Sequence, residues 1–390
     1  MRILSLLFLL LAGFATGMHA QQPFSYGQTD SSSYALYQQG RWKELLQFGK
    51  QAVSAGQDFP LLRMRMGYAA FVTGRYSEAI RQYEKVLKED ALNETAHYFI
   101  YWSRINLGQS VVAMASLPYT QAADIPVAQR KISAVESAEA EFSYKQNSIT
   151  DRGNPFYFRA GLGHRFSHRV HMEHALAVYR QTLNEPGLTA VNNNDDISIG
   201  QFEYYNRVRI QLDRHWQLKG AWHYVRTPFN NFSYNNHLLL FGIKYHGAYA
   251  SLQADLVLGR ITDSSSRQFN LEWQWFPLGN MKVYSFSTAM LRNRQTTDFH
   301  YRQVLGFQVY KNTWLEGNIT TGPFRNLAEN DALYLYNAID PNKVKAGAAL
   351  YFLVGKTRLQ IGYTYEQRER FATKQLFQQH SINGGLSWTL

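Results

Sequence analysis

Two periodicities divide the chain. Over residues 30–115 apolar positions recur at helical spacing, and shifting the chain on itself by 34 residues aligns Gly40, Gly74 and Gly108. Two positions beyond each glycine stand Trp42, Tyr76 and Ser110, and five beyond stand Leu45, Ala79 and Ala113. Each glycine is expected to close one helix and open the next. A helical hairpin cannot bury its apolar face alone, so the repeat predicts a short stack of hairpins. The middle copy is the most complete, with small residues where paired helices touch and Tyr76 packed under the turn.

Beyond residue 130 the period changes to two. Gln268 to Trp275 alternates strictly, with Phe269, Leu271, Trp273 and Trp275 on one face and Gln268, Asn270, Glu272 and Gln274 on the other. Leu252, Ala254, Leu256 and Leu258 alternate with Ser251, Gln253 and Asp255. Leu359, Ile361, Tyr363 and Tyr365 alternate with Arg358, Gln360, Thr364 and Glu366. The final segment places Ile382, Leu386, Trp388 and Leu390 opposite Ser381, Asn383, Ser387 and Thr389. The pattern predicts fourteen strands, near 132–145, 155–166, 169–181, 197–212, 215–227, 235–246, 248–259, 267–277, 281–291, 298–310, 313–322, 343–354, 357–369 and 378–390. A miscount of one hairpin would give twelve or sixteen.

Alternation alone fits a soluble sandwich as well as a barrel, and the connections separate them. Short connections (167–168, 213–214, 247, 278–280, 311–312, 355–356) alternate with longer ones (146–154, 183–196, 227–234, 260–266, 292–297, 322–342, 371–377). That order belongs to an up-and-down transmembrane barrel with tight turns on one rim and loops on the other. A lipid-exposed sheet edge would leave backbone groups unpaired in hydrocarbon, so the barrel must close. The expected architecture is α + β multidomain: a signal peptide at 1–20, an α-helical solenoid at 30–115, a linker at 116–130 and an antiparallel transmembrane β-barrel at 131–390.

Composition fits this reading. Tyr 26, Phe 24 and Trp 8 bring aromatics to 15%, against 18% charged residues. A soluble chain carries about a quarter charged residues, so the aromatics need a tolerant surface. Tyr144, Trp216, Tyr224, Tyr245, Trp273, Trp275 and Trp388 suit interfacial belts. The N-terminus has Arg2, an apolar run from Ile3 to Ala12, and Ala20 before the expected cut. A retained anchor helix is the competing reading of that segment. Cysteine is absent, which excludes disulfides, thiolate metal sites and cysteine nucleophiles. The net charge of +11 is spread thinly: 11 Lys and Arg against 9 Asp and Glu over 21–130, and 28 against 20 over 131–390. No arm concentrates it, so nucleic acid is not an expected partner.

Residues 66–86, centred on Gly74 to Ala79, resemble a tetratricopeptide repeat, although Ala91 stands where that repeat usually has proline. With the leader and barrel, the layout resembles the YaiO-type outer-membrane barrel family and, more distantly, exporters of secreted polysaccharide. The resemblance implies an integral outer-membrane protein with its repeat module in the periplasm. The terminal strand resembles the assembly signal of such barrels, with Leu390 in place of the usual aromatic.

If the apolar face meets lipid, the opposite face lines the lumen. Expected lining residues are Arg159, Glu203, Arg207, Arg209, Glu272, Arg358 and Glu366, together with Arg165, Glu173, Lys219, Asp255, Arg302, Glu316, Lys345 and Arg368. They make either a polar channel favouring anions or a set of salt bridges that plug the barrel. Tyr205, Tyr310 and Trp314 would stack on sugars if they faced inward. His168, His171, Glu173 and His174 are a poor metal set, because 171 and 173 face one way in a strand and 174 the other. No cofactor, metal site or catalytic motif is expected, and Gly161-Leu162-Gly163 has no following helix to bind a phosphate.

Three functions remain open. The first is a barrel in contact with outer-membrane lipid whose repeat module binds a periplasmic protein, in polysaccharide export, other anionic-solute passage or envelope assembly. The second is a lipid- or glycan-modifying enzyme with Ser and His on separate strands. The third is a purely structural barrel.

Overall fold

The computed structural model describes residues 25–121, 125, 133–184, 197–229, 232–262, 264–294, 296–336 and 339–389. The expected leader, part of the expected linker and Leu390 lie outside the described residues.

Among the described residues six helices come first: α1 (Tyr26–Gln38), α2 (Trp42–Ser54), α3 (Pro60–Val72), α4 (Tyr76–Glu89), α5 (Glu94–Asn106) and the short α6 (Ser110–Ala113), continued by a 3-10 turn at Met114–Tyr119. The 34-residue period has a specific cause. Gly40, Gly74 and Gly108 adopt φ of 67°, 72° and 68°, left-handed backbone that glycine enters without steric cost. The same pair of bonds closes each helix: Gly74 N–H donates to Phe71 O and Arg75 N–H to Ala70 O, with equivalents at Gly40/Arg41 and Gly108/Gln109. Leu45, Ala79 and Ala113 are fully buried, and Tyr76 starts α4. The core joins Leu45, Leu62, Met66, Ala69, Tyr83 and Val86.

Close helix contact depends on Gly67, where an added Cβ would lie 2.7 Å from the Tyr83 ring. Gly67→Val should therefore overpack the α3–α4 contact and cost about 1–3 kcal/mol. The helical circular-dichroism signal should melt earlier while the barrel keeps its heat-dependent gel mobility. An unchanged helical midpoint would contradict this packing.

Fourteen antiparallel strands close a barrel: β1 (Ser133–Asn147), β2 (Phe156–Arg165), β3 (Val170–Leu183), β4 (Ile197–Gln211), β5 (Trp216–Phe229), β6 (Phe232–His246), β7 (Ala250–Ile261), β8 (Ser264–Trp275), β9 (Val283–Asn293), β10 (Thr297–Tyr310), β11 (Thr313–Phe324), β14 (Asn342–Val354), β15 (Thr357–Glu369) and β16 (Leu376–Thr389). Each pairs with its chain neighbour, and β1 pairs with β16 to seal the cylinder. The expected count of fourteen is observed. Phe269, Leu271, Trp273, Leu256, Ile361 and Ile382 are exposed on the outer face, while Gln268, Asn270 and Asp255 are buried inside. Such an apolar outer belt suits lipid, not water. No helix among the described residues is long and apolar enough to cross a membrane.

Two features differ from expectation. Several loops are shorter, because pairing runs on to Phe229↔Phe232 and Ile261↔Ser264. Polar residues such as Ser233, Asn235 and Ser265 mark departure from lipid, not from the sheet. The 322–342 connection is not an external loop either. Its residues 326–336 fold into the lumen, where β12 (Ala328–Glu329) pairs with β13 (Tyr334–Leu335).

The helices dock on the short-turn rim, where both ends of the barrel chain also lie. Ser77 N–H donates to Gly279 O at 3.0 Å, and Asn280 Nδ2 to Gly74 O at 3.0 Å. Arg104, fully buried, donates to Gly247 O at 2.9 Å and His246 O at 3.3 Å. Ile80 and Leu107 share an apolar cluster with Phe276, Tyr284, Met281 and Trp314.

Candidate functional site

The period of two turns every second side chain of fourteen strands into one lumen. All seven residues singled out as candidate lining project there. Arg159 is buried and pairs with Glu139 and, at 2.9 Å, Glu141. Glu203 lies 3.1 Å from His223 Nε2. Arg207 and Arg209 both pair with Glu173. Glu272 accepts from Gln274 and lies 3.8 Å from Lys244. Glu366 pairs with Lys145 at 3.2 Å and accepts from Asn342. Arg358 lies over the Tyr351 ring, 5.9 Å from its centroid. Several of these are cross-strand pairs: Glu173 faces Arg207 in the β3–β4 register, and Arg159 faces Glu141 between β1 and β2.

What the chain pattern does not show is the object in the middle. The β12–β13 hairpin reaches across the lumen, and its tip residue Asp331 is the pivot. Its carboxylate lies 2.6 Å from Arg207 Nη1, 2.5 Å from Lys219 Nζ and 2.9 Å from Gln253 Nε2. Tyr205 Oη donates to Asp331 O at 2.9 Å, and His223 Nδ1 bonds Ala332 O at 2.7 Å. On the other flank Glu329 takes Thr320, Tyr336 and Lys345, while Tyr334 Oη donates to Glu141 at 2.6 Å. Beneath these bonds Ala328, Ala332, Leu333 and Leu335 seat against inward Val225, Leu238, Leu240, Val257 and Ile261. The hairpin thus has a small core of its own inside the barrel.

This seat holds a strained turn. Asn330, Asp331 and Ala332 take φ of 51°, 57° and 62° in succession. Left-handed backbone costs a non-glycine residue about 1–2 kcal/mol each. The ion pairs and apolar seat offset that strain only while the hairpin stays inside.

Below the hairpin lies a chamber of about 1500 Å³. The hairpin residues Glu329 to Asp331 and Leu333 to Tyr336 line it on one side, and Tyr76, Leu107, Gly108 and Val112 of the helical module line the short-turn end. Its wall mixes cations and carboxylates with Tyr157, Tyr179, Tyr284, Tyr351 and Trp314. Glu316 accepts from Tyr284 at 3.0 Å and Tyr351 at 3.3 Å. Of the three aromatics proposed to stack on sugars, Tyr205 is bound to the hairpin and Trp314 lines the chamber. Tyr310 is 70% exposed beside the 311–312 turn, so an inward position is corrected for it.

His171 and Glu173 face the lumen, with His171 on Glu136 at 3.1 Å, whereas His174 packs against His164 with the rings tilted by 48°. No group of three or more metal-ligating side chains converges among the described residues. Ser251 Oγ lies 3.5 Å from His246 Nδ1 at the short-turn end, and His246 Nε2 has no partner there. A serine, histidine and acid in sequence are therefore not assembled at that contact.

No family model matches the chain, and no curated protein matches it. Among solved structures it is similar to a mutant of TodX, a monoaromatic hydrocarbon channel, at 8% identity over 66% of this chain and 90% of that one, with a TM-score of 0.46. A Pseudomonas aeruginosa FadL homologue aligns at 10% identity over 76% of this chain and 94% of that one, TM-score 0.45. A bacterial polysaccharide outer-membrane secretin aligns at 6% identity over 67% of this chain and all of that one, TM-score 0.40. The closed ladder of fourteen strands, not these likenesses, establishes the fold.

Proposed function

We propose that the chain is an outer-membrane barrel that admits a polar solute to a lumenal chamber from the short-turn side, with the β12–β13 hairpin as the closure beyond it. The observation that carries this reading is Asp331 held between Arg207 and Lys219 above a chamber of about 1500 Å³. A plug of strained backbone held by ion pairs has two arrangements available to it, seated and lifted, which is what a gate requires. A permanently filled structural barrel needs neither the strain nor the chamber.

The helical module sits on the short-turn rim and narrows the same mouth, so in this reading it faces the periplasm. Its resemblance to tetratricopeptide repeats and the YaiO-type layout support a periplasmic protein partner and polysaccharide export as the finer proposal. Docking on the barrel leaves α1 and the start of α3 open, where Tyr26, Tyr34 and Leu61 are exposed.

Planar-bilayer recording tests the gate. The purified chain should show low conductance with brief openings, and Asp331→Asn should lengthen them. That change removes the charge both cations face, and a buried pair broken from one side costs about 3–5 kcal/mol. Gating indistinguishable between the two proteins would reject the hairpin as closure.

A further inference from the structure

On the far side of the hairpin, at the long-loop rim, three guanidinium groups gather with little to balance them. Arg292, next to the last residue of β9, faces inward opposite Asp298, to which it donates at 2.8 Å. Its Nε and Nη1 are buried without partners, although the side chain is only 7% exposed. Arg294 follows with the same parity, spending Nη2 on Ile261 O and Thr262 Oγ1 and leaving Nε buried and unpartnered. Arg325, just before the inserted segment, has no carboxylate within 4.0 Å among the described residues. It rests over the Phe371 ring at 5.2 Å, with Nε buried and unpartnered.

Two neutral groups adjoin them. His300 is fully buried with both ring nitrogens unpartnered, and Asn326 is 2% exposed with both amide atoms unpartnered. Nearby carboxylates are already engaged: Asp298 by Arg292 itself and by Thr296, Asp340 by Arg152, and Glu329 by Lys345. Burial and the neighbouring cations depress Arg294 below the usual arginine range, and burial with Arg292 does the same to Arg325 against the opposing pull of Asp340. Orphaned buried donors are rare in folded proteins and call for an explanation.

We propose that Arg292, Arg294 and Arg325, with His300 and Asn326, form a binding site for a phosphate group carried by a soluble solute. A tetrahedral dianion accepts from several directions at once, which suits three guanidinium forks better than a planar carboxylate does. Arg292 has the inward parity of its strand, opposite to exposed Leu291, so the site faces the vestibule and not the lipid. Because Arg325 and Asn326 lead into the hairpin, a bound phosphate would tie the fixed wall to the base of the plug. The site itself does not depend on the plug moving, so its binding test can fail or succeed independently of gating.

The test is calorimetric titration of the full chain in detergent with inorganic phosphate, at ionic strength matched by chloride, and with glucose 6-phosphate against glucose. Phosphate and the sugar phosphate should bind and compete, and glucose should not. Arg294→Gln and Arg325→Gln should each weaken binding about tenfold, the loss expected for one charge-assisted bond. Lys356→Gln, in the 355–356 turn on the opposite rim, should leave it unchanged, and heat-dependent gel mobility reports that each variant is folded. Absence of phosphate binding above the chloride control, or unchanged affinity in the folded double variant, overturns the site. Binding of phosphorylated glycolipid micelles that inorganic phosphate cannot displace would overturn the soluble-solute assignment.

Discussion

Replacing residues 327–336 with a short glycine-serine bridge should raise single-channel conductance at least about tenfold. An eight-stranded barrel is filled by its own side chains and one of sixteen to eighteen strands leaves an aqueous channel, so fourteen strands without a plug should leave a narrow path. In the intact protein the hairpin stands in the lumen, as the proposed closure of that path. Removing it frees Arg207, Lys219 and Lys345 from Asp331 and Glu329 and exposes Val225, Leu238 and Leu240 to the lumen. Two consequences separate this from general leakiness. The wall cations Arg207, Lys219 and Lys345 lose the hairpin carboxylates that face them, so the open pore should favour anions over cations. The ladder from β1 to β16 does not include β12 or β13, so heat-dependent gel mobility should persist. A folded excision variant that remains electrically silent would mean that water is blocked elsewhere, and the chamber would lose its role as part of a path.

Which parts of this architecture are visible in the sequence follows from how far each depends on distant residues. The face of Leu256 or Gln268 is set by the strand's own alternation, so strand number and lipid side can be read locally. The glycine period is local too, since each left-handed residue answers only to the helix it ends. The lumen charges are visible as residues, but not as pairs. That Glu173 serves both Arg207 and Arg209 depends on strand register. The hairpin is the least visible element. Its Leu327, Leu333 and Leu335 are more apolar than a solvent loop requires, and it lies in the longest connection. Its destination, however, is fixed by Val225, Leu240 and Val257, which come from β5 to β7. In β6 the run Leu238-Leu239-Leu240-Phe241 hides the inward apolar seat, because apolar residues occupy both faces.

Docking of the helices is encoded with equal economy, and its disruption should have the other large effect. Arg104→Ala should release the helical module from the barrel. The buried guanidinium closes three acceptors, Gln109 Oε1, Gly247 O and His246 O, and lies 3.6 Å from Glu84. Truncation takes the donor from Gln109 Oε1 and Gly247 O, at about 1–3 kcal/mol for each that water cannot reach, while His246 O keeps His215 Nδ1 at 3.0 Å. Limited proteolysis should then cut between module and barrel, and cross-links between positions 80 and 276 should disappear. Acid should act on the same interface through Glu78. Burial alone would raise its carboxyl, but bonds from Arg81, Gln82 and Tyr249 hold it below the usual range. A lowered folded value means the contribution is complete above the ordinary glutamate range and is lost as pH falls through the lowered value. Glu78→Gln keeps a hydrogen-bond acceptor for Tyr249 without the charge, so it should abolish that acid-dependent loosening while retaining the dock at neutral pH. Arg104→Ala protein whose module stays protease-resistant and cross-linked would show that the apolar contact of Ile80 and Leu107 with Phe276, with the Ser77–Gly279, Asn280–Gly74 and Tyr249–Glu78 bonds, holds the dock without it, and the buried arginine would then serve α5 alone.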